Sequence, residues 1–296
     1  MKLWALSDLH LHYPANQAAL EQLQPRGQDW LILAGDVGET PEQLAWAIDM
    51  LQPKFGTLLW VPGNHELWTM PKEGEDAPRG EARYLAYVEL CRSRGVWTPE
   101  DPFPLFETEG ARWRVCPLFL LYDYTFSPPG FDPDAARAWA REEGIVCMDE
   151  RLLHPDPYPT REAWCAARLH ATAARLEALD PSERTILINH WPLRADLIRL
   201  FKIPRFSPWC GTRATEDWHL RFRADVVVSG HLHMRATDWR DGVRFEEVSL
   251  GYPRHWFDSV PVDQYLREIV PGPEEREAGD AGPAWRRLGT VAPEVF

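Results

Sequence analysis

Five stretches of this chain are apolar almost throughout, and each ends in a residue that can bind a metal or move a proton. Residues 2–6 run into Ser7-Asp8-Leu9-His10, and 29–34 into Gly35-Asp36. Residues 57–61 lead to Pro62-Gly63-Asn64-His65-Glu66, and 184–188 to Asn189-His190. Residues 225–228 lead to Ser229-Gly230-His231-Leu232-His233. Strands covered on one face alternate apolar and polar residues, whereas strands covered on both faces do not. Helical stretches between several of these runs imply right-handed crossovers and parallel pairing. In such sheets ligands collect beyond the carboxyl ends of the strands, which is where these polar residues fall.

The remaining bounds narrow the class. At 296 residues the chain suits one large α/β domain, or one domain with an embedded cap. A net charge of -13 argues against non-specific binding to nucleic acid, since that affinity comes from Lys and Arg neutralising phosphates. The five cysteines (Cys91, Cys116, Cys147, Cys165, Cys210) are scattered, odd in number and form no C-x-x-C pair. They read as reduced thiols rather than a disulfide framework. No signal-peptide h-region precedes the first strand, and no run approaches the roughly 18 apolar residues of a membrane span. The expectation is a cytoplasmic protein without a membrane segment.

Between the motifs the chain is less informative. The pattern predicts helices over roughly 16–24, 41–51 (with Thr40 as its cap and Pro41 in its first turn), 81–94 and 160–179, and a loop over 67–80. Residues 112–119 read as a strand. About 40 residues from 121 to 159, rich in Pro, aromatic and acidic side chains, read as a loop or cap insertion around 120–160. Residues 243–248 read as the terminal strand after an Asp241-Gly242 turn. The chain then loses periodicity, and a mobile tail is expected after 270. Internal repeats, G-x-G-x-x-G and P-loop patterns are absent.

The series Asp8-x-His10, Gly35-Asp36, Gly63-Asn64-His65-Glu66, Asn189-His190 and Gly230-His231-x-His233 resembles the calcineurin-like metallophosphoesterase superfamily, with all five motifs in order. The resemblance implies an α/β (α+β) fold, a four-layer αββα sandwich of two mixed sheets with the metals at the strand ends, built as a single domain over 1–296. It implies two divalent ions (Mn, Fe, Zn or a mixed pair). Asp8, His10 and His233 would hold one, Asn64, His190 and His231 the other, and Asp36 would bridge them. His65 corresponds to a general acid rather than a ligand. Two such ions clamp the attacking and leaving oxygens of a phosphoryl group and lower the pKa of a bridging water, while an acid such as His65 protonates the leaving alkoxide.

The resemblance therefore implies a metal-dependent hydrolase acting on a phosphoester of a small molecule or nucleotide. Members acting on phosphoserine and phosphothreonine carry Gly-Asp-x-x-Asp-Arg-Gly at the second motif, where this chain has Glu39 and Thr40. Without that Arg a dianionic phosphate loses a bidentate clamp, which favours phosphodiesters. Glu39 reads either as a partner of His65 or as a solvated residue ahead of a helix. His12 is a candidate for a substrate-facing place. Arg194, Arg199, Lys202, Arg205 and Arg213 form a basic group between the fourth and fifth motifs, read either as an anion guide at the mouth or as solvated charge. Trp68, Trp191 and Trp209 read as stacking partners or as core, and His154, His170, His219 and His255 have no evident partner. A phosphomonoesterase, a nuclease of the same fold and a non-catalytic scaffold are the alternatives. Retention of all seven ligands counts against the scaffold.

Overall fold

The computed structural model describes residues 1–74, 76–272, 283–286 and 288. The first half alternates strand and helix: β1 (Leu3–Leu6), α1 (Pro14–Glu21), β2 (Trp30–Leu33), α2 (Pro41–Leu51), β3 (Thr57–Trp60), α3 (Asn64–Leu67) and α4 (Gly80–Ser93). A hairpin follows, β4 (Leu105–Thr108) and β5 (Ala111–Pro117), and then α5 (Pro133–Arg141), α6 (Asp149–Leu152) and α7 (Arg161–Glu177). The remainder comprises β6 (Thr185–Ile188), α8 (Trp218–Arg221), β7 (Ala224–Ser229), β8 (Ala236–Arg240), β9 (Val243–Glu247), β10 (Arg267–Val270) and β11 (Ala284–Trp285).

These strands form two mixed sheets. One has the order β10-β1-β2-β3 and the other β11-β8-β9-β7-β6-β5-β4. β1, β2 and β3 are parallel, as are β5, β6, β7 and β9. Successive residues of each apolar run pack in opposite directions, which explains the absence of alternation. Leu3, Ala5, Ile32 and Leu59 meet Val115, Ile186, Ile188, Val226 and Val228 between the sheets. Leu6, Leu33 and Trp60 pack instead with Leu20, Leu44 and Ile48 of the covering helices. On the far side Leu187, Val227 and Phe245 meet Leu176, Trp218 and Phe222. The result is the expected four-layer sandwich, each fully buried Leu, Ile or Val contributing roughly 1.5–3 kcal/mol.

Thr40 caps α2 as its position predicts. Its hydroxyl accepts from Gln43 N at 3.4 Å, and the Gln43 side chain accepts in return from Thr40 N at 3.3 Å. Other boundaries shift: the first helix starts at Pro14 rather than 16 and ends at Glu21, and the 67–80 loop carries a short 3-10 turn at Pro71–Glu73. The strand at 243–247 is not terminal. β10 returns antiparallel to β1 and closes the first sheet, and β11 pairs antiparallel with β8. Neither forms an apolar run: β10 reads Arg-Glu-Ile-Val, charged at its first two positions, and β11 holds only two residues. Of the tail expected after 270, residues 273–282, 287 and 289–296 lie outside the described residues. The 120–160 stretch is not structureless, since it holds α5 and α6.

Replacing the α2 cap, Thr40→Ala, should lower stability by about 1 kcal/mol, the usual effect of losing a hydroxyl cap, as read from denaturant unfolding. An unchanged midpoint would mean that Gln43 and Pro41 start this helix unaided.

Candidate active site

The carboxyl ends of both sheets meet at one point. Ser7, the residue after β1, forms a parallel bridge with Ser249 after β9, through Ser7 N to Val248 O (3.1 Å) and Leu250 N to Ser7 O (2.9 Å). The chain then turns sharply. Asp8, His10, Asp36, His231 and His233 all adopt left-handed backbone, with φ of 55°, 42°, 53°, 71° and 54°. That conformation is disfavoured for side chains with a Cβ, so five candidate ligands sit on strained backbone. The motif glycines supply room: a Cβ on Gly63 would lie 2.1 Å from Asp36 Oδ1, and one on Gly230 2.4 Å from Asp8 Oδ2.

Two groups of donors result. Asp8 Oδ1 lies 2.9 Å from His233 Nε2 and 3.8 Å from His10 Nε2, and the two imidazole nitrogens are 3.1 Å apart. Asp36 Oδ2 lies 3.4 Å from His190 Nε2, which is 3.3 Å from His231 Nδ1. His10, Asp36 and His65 also converge, with ligand atoms within 4.8 Å, so Asp36 and His10 lie between the groups. All seven sequence-predicted ligands except Asn64 appear in these groups. Asn64 lines the same cavity as Asp36, His65, His231 and His233.

The donor set fits divalent cations. The buried Asn64 Oδ1 has no hydrogen-bond partner among the described residues, although its Nδ2 donates to Asp149 Oδ1 at 3.0 Å. A buried amide oxygen left without a partner is unfavourable by itself and suits an inner-sphere ligand. His190 Nδ1 lies 2.9 Å from Ala34 O, which turns its Nε2 toward Asp36. Burial opposes charge on His190, but Asp36 beside it overrides this and raises its pKa to about 10. Burial, reinforced by His190, pushes His231 down to about 3. A cation held at the His190–Asp36 contact would compete with a proton for it. Burial raises the Asp8 carboxyl, yet His233 outweighs it and holds the group well below the usual range.

Supporting residues come from elsewhere. Glu66 is buried and accepts from Gly63 N (2.8 Å), Asp36 N (3.0 Å) and Val37 N (2.7 Å), tying the second motif to the third. Burial, together with Asp36, raises its pKa to about 7. Asn189 Oδ1 accepts from Leu120 N at 2.9 Å and Nδ2 donates to Trp191 O at 2.8 Å, fixing the turn that carries His190. Asp149, on α6 within the insertion, also accepts from Trp68 Nε1 at 2.7 Å, and Trp68 packs on His65 with ring centroids 3.7 Å apart. Nothing in the sequence marks Asp149, because 85 residues separate it from Asn64.

His65 lies beside Glu39, Nδ1 to Oε1 at 3.4 Å, and His12 reaches the same oxygen at 3.4 Å. Both separations are ion-pair distances. Burial disfavours the charged imidazole of His65, but Asp36 and Glu39 together raise its pKa. The interaction with His65 lowers that of Glu39. Of the two readings of Glu39, the side chain takes the one beside His65.

The basic group does not form an anion guide. Arg194 pairs with Asp196, Arg199 with Asp238, Arg205 with Glu142 and Arg213 with Glu216, and none of these, nor Lys202, lines the cavity. The lining cation is Arg254, from a stretch without periodicity. Trp191 and Trp209 are buried in the core, while Trp68 lines the cavity. His255, without a partner on sequence grounds, sits behind His233, Nδ1 to Nδ1 at 3.0 Å, and His219 lies 2.9 Å from Asp241 Oδ2.

The chain matches the sequence profile of the calcineurin-like phosphoesterases over residues 1–235. It is 48% identical, over 274 residues covering 92% of this chain and 84% of the relative, to [acyl-carrier-protein] phosphodiesterase PptH of Mycobacterium tuberculosis. The crystal structure of phosphopantetheinyl hydrolase (PptH) from the same organism superposes with a TM-score of 0.87 at 47% identity, covering 94% of this chain and 98% of that one.

With Asn64 Oδ1 as a ligand, Asp149→Ala should weaken metal binding by about tenfold or more, the usual effect of losing a partner that orients a ligand. Asp149→Asn keeps the accepting oxygen and should retain most of the affinity, measured by metal titration against a competing chelator. Equal affinity in all three proteins would show that Asn64 needs no such anchor.

Proposed function

The chain belongs to the calcineurin-like phosphoesterase family and is a metal-dependent phosphoester hydrolase; from that premise we propose that it cleaves the phosphodiester linking a phosphopantetheine arm to a carrier protein. The observation carrying this reading is 48% identity across 92% of the chain to an acyl-carrier-protein phosphodiesterase. The substrate is then a protein-borne phosphoester, larger than the free small molecule or nucleotide expected from sequence. No helix among the described residues is long and apolar enough to cross a membrane. We place the reaction in the cytoplasm, since the five cysteines are buried and unpaired.

In this reading Asp8, His10 and His233 would hold one divalent ion and Asn64, His190 and His231 a second, with Asp36 available to both groups. Imidazole with carboxylate and amide oxygen suits Mn, Fe or Zn. Such ions supply Lewis acidity toward the phosphoryl oxygens and ease deprotonation of the attacking water. Water adds to phosphorus, and the oxygen borne by the carrier leaves with the P–O electron pair and takes a proton. The products are the free arm phosphate and a restored hydroxyl on the carrier. His65 provides that proton from Nε2, while Glu39 faces Nδ1 and Asp36 lies 3.8 Å from Nε2. Burial opposes the protonated form of His65, but Asp36 and Glu39 outweigh it and favour the form that can donate.

Purified without chelator, the protein should carry close to two ions per chain and release phosphopantetheine from a holo carrier, followed by mass spectrometry of the carrier. Chelation should abolish release and added Mn should restore it. Retention of the arm by a metal-replete enzyme that cleaves bis(p-nitrophenyl) phosphate would refute the carrier reading.

His65→Asn should leave both ions bound. Its rate on the carrier, whose leaving group is an aliphatic alkoxide, should fall by roughly 10²–10⁴, as expected for one acid–base group. The rate on bis(p-nitrophenyl) phosphate should fall much less, since p-nitrophenolate leaves without protonation. Equal losses on both would assign His65 a positioning role, and loss of metal would make it a ligand.

A further inference from the structure

The cavity above the site has about 260 Å³ of room and two unlike sides. Its polar lining residues are those of the metal-facing floor together with Tyr252 and Arg254. The rest is formed largely by Val146 and Met148 of the insertion, by Leu200, Ile203 and Phe206 of the segment after the fourth motif, and by Leu232 between the two histidines of the fifth. Val146 is 59% exposed and Met148 45%, and Phe201, next to Leu200, is 68% exposed. Two of these, Val146 and Met148, line the cavity and so present large apolar side chains to water at its opening. The two segments are tied together by Arg205, which donates to Trp139 O at 2.7 Å and pairs with Glu142 at 2.6 Å. Phe206 in turn stacks over His231, with ring centroids 6.1 Å apart, so the apolar side begins where the donor cluster ends.

We infer that Val146, Met148, Leu200, Ile203 and Phe206 form a slot that grips the uncharged pantetheine arm next to the phosphate, and that this slot sets substrate preference. The inference rests on the phosphopantetheine reading above. Size supports it, because clefts that enclose a compact ligand run from about 300 to 1,000 Å³, and this one accepts a slender segment while the carrier stays outside. Chemistry supports it too. The carbon bearing the phosphate in pantetheine adjoins a carbon with two methyl groups, and the chain beyond it carries no charge. A nucleoside places a polar ribose at that position instead, where this wall offers apolar side chains. Exposed apolar surface at the rim is unfavourable until covered, and the arm covers it at each turnover.

The test uses Val146→Asn combined with Met148→Gln, which removes the apolar rim without adding charge near an anionic substrate. In the native enzyme, phosphopantetheine should inhibit bis(p-nitrophenyl) phosphate hydrolysis at least about tenfold more tightly than inorganic phosphate or AMP. The double variant should lose most of that advantage. Its kcat/KM on the holo carrier should fall about tenfold further than on the small diester, chiefly through KM. Phosphopantetheine binding no better than phosphate, or equal losses on both substrates, would overturn the slot. A persistent phosphopantetheine advantage in an enzyme inactive on the carrier would retain the slot and remove the carrier reading. A variant that keeps the advantage but changes oligomeric state would reassign the rim to contact between two copies of this chain.

Discussion

Asp8 is the carboxylate through which the two sheets and the donor cluster are held in one geometry. It follows β1 in the first sheet and accepts from Ser249 Oγ (2.7 Å) after β9 in the second. It also accepts from His231 N (3.0 Å) and lies 2.9 Å from His233 Nε2. A fully buried carboxylate is unfavourable unless it is hydrogen-bonded and opposed by positive charge. Here its surroundings supply donors and imidazoles from β1, β7 and β9 together. The Ser7–Ser249 bridge makes that meeting possible, since it brings the carboxyl ends of β1 and β9 into backbone register. Left-handed backbone at five candidate ligands then follows as the local consequence of aiming them inward. Strain of order 1–3 kcal/mol at such positions persists where the surrounding structure over-determines them. The inter-sheet core does so, with Ile32, Leu59, Ile188 and Val228 buried just behind the site.

Around this core the insertion acts as part of the site's framework. Asp149 holds Asn64 and Trp68 at once, so one residue of α6 orients the amide and the ring that packs on His65. Glu150, its neighbour, accepts from Tyr124 Oη at 2.7 Å and Trp209 Nε1 at 2.8 Å, and pairs with Arg161. These contacts bind α6 to α7 and to the segment near Trp209. Burial of Tyr122 and Tyr124 in the same cluster as Trp164 of α7 accounts for aromatic residues at the start of 120–160. Order in the insertion therefore bears directly on where Asn64 points.

Legibility followed range. The β-strands that carry the five motifs and the residues at their exits could be read directly, because both signals are local: apolar runs and the residue types that follow them. Thr40 was legible for the same reason, a hydroxyl three residues before Gln43 with Pro41 in the first turn. Asp149, Arg254 and His255 were not, since each acquires its place through contacts across tens or hundreds of residues. The two readings of the basic group between the fourth and fifth motifs could not be separated in the sequence, because composition shows charge but not its partners, and Asp196, Asp238 and Glu142 come from separate elements. β10 and β11 escaped notice as short edge strands whose pairing depends on neighbours distant in sequence.

The departures at Glu39 and Thr40 acquire a physical meaning in the folded chain. Where the protein-phosphatase pattern places an Arg on the phosphate, Thr40 uses its hydroxyl to cap α2, so that position gives a helix start instead of a clamp. Where that pattern has Asp, the longer Glu39 still reaches His65 and lies at the same distance from His12. The acidic neighbour of His65 is thus kept while the position of that Arg is taken by a helix cap. A diester, with a single negative charge on its phosphoryl oxygens, needs that clamp less than a dianionic monoester does. The affinity forgone on the phosphate can instead come from the group attached to it. An apolar wall beside the donor cluster, in a protein of net charge -13, is suited to an uncharged arm.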